Sequence, residues 1–278
     1  MAYKKASAID LDELIKPIDQ MPGGDHRTWL ISGHPGGGKT TSVRTIAPIA
    51  KCLYLDLDGK SSVLKKPELA EWINGVNLKF DLNTYKDQLA VIDALYDLDT
   101  AETLAVDHKW LIIDGLTNFY ALGCQKAHDT TKGSSRYKMN FDKMDYVDAW
   151  VWQRIHRWRA VFENVVLFTH IDVRGDEFGN IHMMPLARKG LSATMPGNFQ
   201  EIFHAGVDVS GKSIQYQWVT KPEDYCNNTS SIAGLPAVVP NDFALVMDTD
   251  WTALDGDVGK AIKQFEVKHG RKVTGWAG

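Results

Sequence analysis

The chain is poor in cysteine, with 3 among 278 residues, at positions 52, 124 and 226, and no C-x-x-C pair. That scatter excludes a disulfide scaffold and reads as reduced thiols in a cytoplasmic protein. Long apolar runs are missing too. Stretches such as Trp110–Ile113 fall far short of the roughly 20 residues that cross a bilayer, so no membrane span is expected. The opening residues, MAYKKASAIDLDELI, contain no apolar segment of the signal-peptide kind. Nor is there an excess of positive charge. With 31 Lys+Arg against 35 Asp+Glu the net charge is −4, so any contact with nucleic acid must come from a local patch. The His and Cys residues do not cluster at metal-ligand spacing, and no zinc site is expected. No Ser sits in G-x-S-x-G, which removes an α/β-hydrolase reading. Core-forming residues, by contrast, are plentiful. Hydrophobic residues make up 44% and include nine Trp, enough to exclude disorder for most of the chain.

The pattern of these residues alternates strand and helix. Trp29–Ser32, Cys52–Leu57, Trp110–Ile113 and Val165–Thr169 are short apolar runs that read as buried strands. Between them, Thr40–Ala47 reads as a helix stopped by Pro48. Tyr85, Leu89, Ile92 and Leu95 recur at helical spacing. Met144, Val147, Val151, Ile155, Trp158, Val161 and Phe162 fall on one face of a long helix. Alternation of this kind predicts an α/β fold with a mostly parallel central sheet flanked by helices. After residue 200 the style changes. Phe203–Val209 and Ile214–Thr220, around Ser210-Gly211, predict a C-terminal antiparallel hairpin. A helix from about Val258 to His269 would end at Gly270. Residues 1–26 read as a polar lead-in and 221–278 as a C-terminal extension of a single domain, 1–278.

Residues 33–40 read GHPGGGKT, which fits G-x-x-x-x-G-K-S/T between a strand and a helix. Glycines let the backbone curl so that its N–H groups point at phosphate oxygens. Gly33, Pro35, Gly36, Gly37, Gly38, Lys39, Thr40 and Thr41 are therefore the expected nucleotide cradle. Lys39 would reach the β- and γ-phosphates of ATP, and the Thr40 hydroxyl would ligand Mg²⁺. His34 is given no chemistry.

Three further positions sit at strand ends. Asp114 closes the third apolar run, where an acid holds Mg²⁺ in nucleotide hydrolases. Asp56 and Asp58, alternating in LDLDG, both fall on one face of an extended chain. Asp58 lies further out and is the preferred carboxylate to orient or deprotonate water, with Asp56 the alternative. His170 ends the fourth run and should stand at the same sheet edge as Asp114, placed to report the γ-phosphate.

Taken in order, GHPGGGKTT, CLYLDLDG, WLIIDGLTNFY and VVLFTHID resemble the phage RecA-core ATPases of the Sak-like recombination group. The likeness covers roughly residues 28–220. It also takes in Asp145-Tyr146 before the fourth strand and the segment Leu191–Gly197 that leads to the closing hairpin. Two positions depart from the group: Asp58 stands where Glu is common, and Gly115 where Ser is usual. The resemblance implies a RecA-like P-loop NTPase core that hydrolyses ATP with Mg²⁺. It further implies a homo-oligomeric ring or filament and action on single-stranded DNA beside a single-strand binding or annealing protein. ATP would lie at a subunit boundary, where a neighbour supplies a positive charge, Lys221 or its rival Arg188. Two segments, 122–140 and 171–199, would correspond to DNA loops. The first carries Lys126, Lys132, Arg136 and Lys138 with Tyr137, and the second Arg174, Arg188 and Lys189.

The set Arg154, Arg157 and Arg159 reads as a solvated helix face. Trp150 and Trp158 read as core, and Trp152, off that stripe, as a partner-facing residue. A DNA motor, a helicase loader, a packaging ATPase, a nucleotide-dependent switch or a small-molecule kinase would share the same phosphate loop.

Overall fold

The computed structural model describes residues 26–78, 84–130, 141–175, 181–186, 191, 194–209, 214–222 and 228–273. Its centre is an eight-stranded sheet in the order β10-β9-β8-β1-β5-β4-β2-β3. The strands are β1 (Arg27–Gly33), β2 (Cys52–Asp56), β3 (Ile73–Asn77), β4 (Trp110–Asp114), β5 (Asn164–Thr169), β8 (Glu201–Asp208), β9 (Gln215–Val219) and β10 (Val238–Pro240). A separate two-stranded ribbon is made by β6 (Ile171–Gly175) and β7 (Ile181–Pro185). Within the eight-stranded sheet the strands from β8 to β3 run parallel, and β9 and β10 join its edge antiparallel. The expected mostly parallel α/β architecture and its closing hairpin are both present. The hairpin gains a third strand, β10, from the C-terminal extension.

Fully buried parallel strands are apolar on both faces. In β1, Leu30 belongs to one core and Ile31 to the other. The first core lies under α2 (Tyr85–Tyr96), α3 (Leu98–Asp107), α4 (Leu116–Thr130) and α5 (Phe141–Val161), with Phe119, Trp150 and Trp158 at its centre. The second lies under α1 (Lys39–Ser42), α6 (Phe243–Asp248) and α7 (Val258–His269), where Trp29, Trp110, Trp218 and Phe243 meet at ring-centroid distances of 4.7–6.0 Å. Helix α7 starts on the Asp257 carboxylate, which accepts from Lys260 N. It stops at Gly270, whose φ of 62° is the expected left-handed terminator.

The helix expected over 40–47 is shorter. α1 gives way to a 3-10 turn at Val43–Ile46. Ser42 Oγ donates to Lys39 O and Thr45 Oγ1 to Ser42 O, each at 2.6 Å, and such local bonds compete with regular helix. Two further expectations are corrected. Arg154 is buried, stacked over Trp150 at 3.9 Å and Tyr96 at 4.6 Å, with its guanidinium paired to Asp93. Trp152 packs partly buried against Phe199 and its core. Helix α5 is covered by α2 and α4 as well as by the sheet, so it buries more than one stripe. Trp150 and Trp158 lie in the core as expected.

Candidate functional site

Strand register fixes where the chemistry gathers. Asp114 lies opposite Asp56 on β2 and Phe168 on β5, while Ser32 on β1 lies opposite Thr169. The ends of β1, β2, β4 and β5 therefore reach one edge together, and the segments that follow them close a cavity. The cavity measures about 370 Å³. Gly36–Thr41 form one wall. Asp58, Lys60, Asp114, His170 and Tyr216 supply the rest of its polar lining. Ligands of open α/β sheets bind at this kind of edge.

The loop 33–40 curls as its glycines imply. Gly36 and Gly38 adopt φ of 83° and 82°. A Cβ on Gly38 would also meet Asn241 Nδ2 at 2.5 Å, because Asn241 donates to Gly38 O at 3.2 Å. Lys39 Nζ donates to Gly33 O at 2.7 Å and His34 O at 3.0 Å, so the ammonium sits in the throat of the loop. Burial lowers its pKa to about 8, against the opposing pull of Asp114.

Thr40 Oγ1 donates to Asp114 Oδ2 at 2.6 Å, and Tyr54 OH donates to the same oxygen at 2.6 Å. Burial pushes the Asp114 carboxyl above its usual range, and the two hydroxyls hold it down against that effect. Burial, then the Asp114 charge, push the Tyr54 phenol up, so it stays a donor. A hydroxyl and a carboxylate side by side are hard oxygen ligands. They fit Mg²⁺, which takes one or two protein oxygens and completes its shell with phosphate and water.

Asp56 and Asp58 part company. Leu57 N and Asp58 N both bond to Asp114 O, at 2.6 and 3.1 Å, and this ends the ladder at Asp56. The shared face expected for the two acids is therefore lost. Asp56 accepts from Lys60 N at 3.0 Å and Ser61 N at 3.2 Å, holding the turn. Asp58 turns into the cavity. Its Oδ1 accepts from Asn118 Nδ2 at 3.0 Å, and its Oδ2 lies 3.5 Å from both His170 Nε2 and Lys60 Nζ. Gly115 makes room for it: a Cβ there would come within 2.8 Å of Asp58 Oδ1. The two departures from the phage group thus touch one another. Burial, followed by the Lys39 and Lys60 charges, lowers the His170 pKa, so the ring faces the cavity neutral near pH 7.

The remaining expected residues are scattered. Lys126 lies on α4, not in a loop, and its ammonium pairs with Asp93 at 2.7 Å. The segment 171–199 holds the β6–β7 ribbon. Lys132, Arg136, Tyr137, Lys138, Arg188 and Lys189, and the side chain of Arg174, lie outside the described residues. Lys221 stands two residues past the end of β9, which runs away from the nucleotide edge, and it lines no part of the cavity.

Tyr54, Lys60, Asn118 and Tyr216 were not singled out from the sequence. Tyr54 and Asp56 alternate on one strand face, and Asn118 lies in the first turn of the helix that follows Asp114. Those spacings are the available signals.

Residues 25–227 match the family described as the AAA domain. The chain belongs to that family. Its AAA domain is thus a P-loop ATPase domain, and the loop at 33–40 falls within the matched span. Comparison with curated proteins finds no significant match. Three solved structures are similar to the chain at low identity. A prototypical ATPase from the type III secretion system of pathogenic bacteria is 11% identical with a TM-score of 0.43, covering 64% of this chain. The chain spans about half, 52%, of that protein. The RadB recombinase is 15% identical with a TM-score of 0.41, covering 70% of this chain and 80% of its own. The flagellar accessory protein FlaH from Methanocaldococcus jannaschii is 10% identical with a TM-score of 0.40, covering 84% and 91%. No described helix is long and apolar enough to cross a membrane.

Proposed function

We propose that the chain hydrolyses ATP with Mg²⁺ at the cavity beside β1, β2, β4 and β5. The observation that carries this reading is the Thr40–Asp114 hydrogen bond of 2.6 Å, next to a loop whose Lys39 fills its throat, with Asp58 facing the same space. Loop N–H groups bind the phosphates, and Lys39 leaves its carbonyl partners for the β- and γ-phosphate oxygens. Thr40 and Asp114 would hold Mg²⁺, which would neutralise phosphate charge when bound. Asp58, oriented by Asn118, positions the attacking water. A bond forms from that water's oxygen to the γ-phosphorus as the bond to the β–γ bridging oxygen breaks. The bridging oxygen leaves with the electron pair as part of ADP, and Asp58 takes the water proton. His170, whose Nε2 lies 3.5 Å from Asp58 Oδ2, registers whether the γ-phosphate is present.

The same reading includes assembly and substrate. The chain acts in the cytoplasm, as a phage RecA-like protein does, on single-stranded DNA in recombination or replication, as a ring or filament. What supports this is the ordered motif set and the β6–β7 ribbon that leaves His170 directly, giving a γ-phosphate signal a short path to a polar segment. Lys132, Arg136 and Lys138 would contribute phosphate contacts independent of base sequence.

The test is ATP turnover and particle size, with and without Mg²⁺ and single-stranded DNA. DNA-stimulated turnover with ATP-dependent growth in size is expected. A chain that turns over ATP but stays monomeric and ignores DNA with ATP, with ADP and without nucleotide would sink the DNA reading and favour a switch or kinase.

A further inference from the structure

We propose that Lys60 is the cation that meets the γ-phosphate, supplied by the same chain rather than by a neighbour. The inference rests on the ATP reading above and names the residue that completes it. Phosphoryl transfer builds negative charge on the γ-phosphoryl oxygens, and such sites carry a positive side chain there, in cis or in trans. Among the described residues that line the cavity, the lysines are Lys39 and Lys60, and no arginine joins them. Lys39 reaches the β- and γ-phosphates from the loop side, which leaves Lys60 for the γ-phosphoryl oxygens on the opposite, β2 side.

Lys60 stands on the β2 side, on a turn with a fixed base. Gly59 reverses the chain at φ 68°, and the buried Asp56 carboxylate clamps the N–H groups of Lys60 and Ser61. The stem of Lys60 is thereby anchored while its head stays free to move, with the side chain 57% exposed. That head already leans toward the reacting centre, 3.5 Å from the Asp58 carboxylate that would hold the water. A γ-phosphate carries more charge than one carboxylate and would draw the ammonium further in.

A purely solvated lysine would be indifferent to the third phosphate, and this separates the two roles. In the full-length chain, Lys60→Met should weaken binding of adenylyl-imidodiphosphate about 10-fold, the size of one charge-assisted contact, and leave ADP affinity within about 2-fold. Turnover should fall on the order of 10²-fold, and Lys60→Arg should restore most of it. Equal loss for both nucleotides, or no loss for either, would overturn the assignment. So would recovery of turnover on mixing Lys60→Met with Lys39→Ala chains, since a lysine acting in trans would rescue the intact loop of its neighbour. A parent chain that binds neither nucleotide would overturn the ATP reading and this inference together. A parent that binds both, with a silent Lys60→Met, removes the inference alone.

Discussion

Gly115→Ala places one methyl group against the water-positioning carboxylate. The added Cβ would lie 2.8 Å from Asp58 Oδ1, 3.0 Å from Oδ2 and 3.1 Å from Cγ. Ordinary contact needs about 0.5 Å more. The carboxylate must withdraw by roughly that amount, pulling against its 3.0 Å bond from Asn118. A misplacement of about 1 Å in a reacting geometry costs on the order of 10²-fold, so half that distance should slow turnover roughly 10- to 100-fold, or about 1.4–2.7 kcal/mol. Stability should change by no more than about 1 kcal/mol, because the clash falls on the movable end of a side chain. The assay is single-turnover hydrolysis for the parent, Gly115→Ala, Asp58→Asn and the double variant, with ADP affinity as the control. If the methyl acts through Asp58, the double variant should be no slower than Asp58→Asn. A parent-like rate in Gly115→Ala, or losses that multiply in the double variant, would refute the coupling.

Lys39→Ala should fold and abolish hydrolysis, as circular dichroism and phosphate release would show; parent-rate turnover would move the site elsewhere. Asp114→Asn should weaken Mg²⁺-dependent nucleotide binding, whereas Asp58→Asn should keep binding and slow turnover on the order of 10²-fold; the same loss in Asp56→Asn alone would reassign the water to Asp56. Arg154→Ala should lower stability by about 2 kcal/mol in urea titration, since it removes a stacked cation from Trp150 and the ion pair to Asp93. Burial raises the Asp93 pKa, but Lys126 and Arg154 outweigh it and hold the carboxyl below its usual range. The unfolded chain then binds the proton more readily, so this contribution is present above the ordinary Asp pKa and disappears as pH falls through the lowered one. A stability curve for Asp93→Asn that keeps the parent's acid slope would count against it.

The parallel strands, the phosphate loop and the Gly270 stop were legible because each is a local pattern with its own period or turn chemistry. Asp114 was legible as a strand-end acid, and Trp150 and Trp158 as core. What escaped depends on partners far away in sequence. Tyr54 matters only because β2 pairs with β4 in a register that sets its hydroxyl against Asp114. Arg154 looked solvated because a helical wheel knows one buried face, and α5 has neighbours on more than one side. Lys126 looked like loop because the resemblance matched 122–140 to a loop, whereas the buried stripe of Phe119, Leu122, Gly123 and Ala127 carries α4 through its first part. The split between Asp56 and Asp58 follows from two N–H groups sharing the Asp114 carbonyl, which strand alternation cannot anticipate.

The contact between Asn241 and Gly38 bears on how portable this phosphate loop is. Asn241 lies beyond the family span of 25–227, as does Phe243, whose N–H donates to Thr45 Oγ1 at 2.9 Å just behind the loop. Phe243 also covers the rings of Trp29 and Trp110. A fragment cut at the family boundary would lose the brace of its own loop and bare two indoles. Grafting the loop onto another scaffold would fail in the same way unless residues 238–248 travelled with it. The unit that can be moved is therefore not the contiguous motif but two stretches some two hundred residues apart.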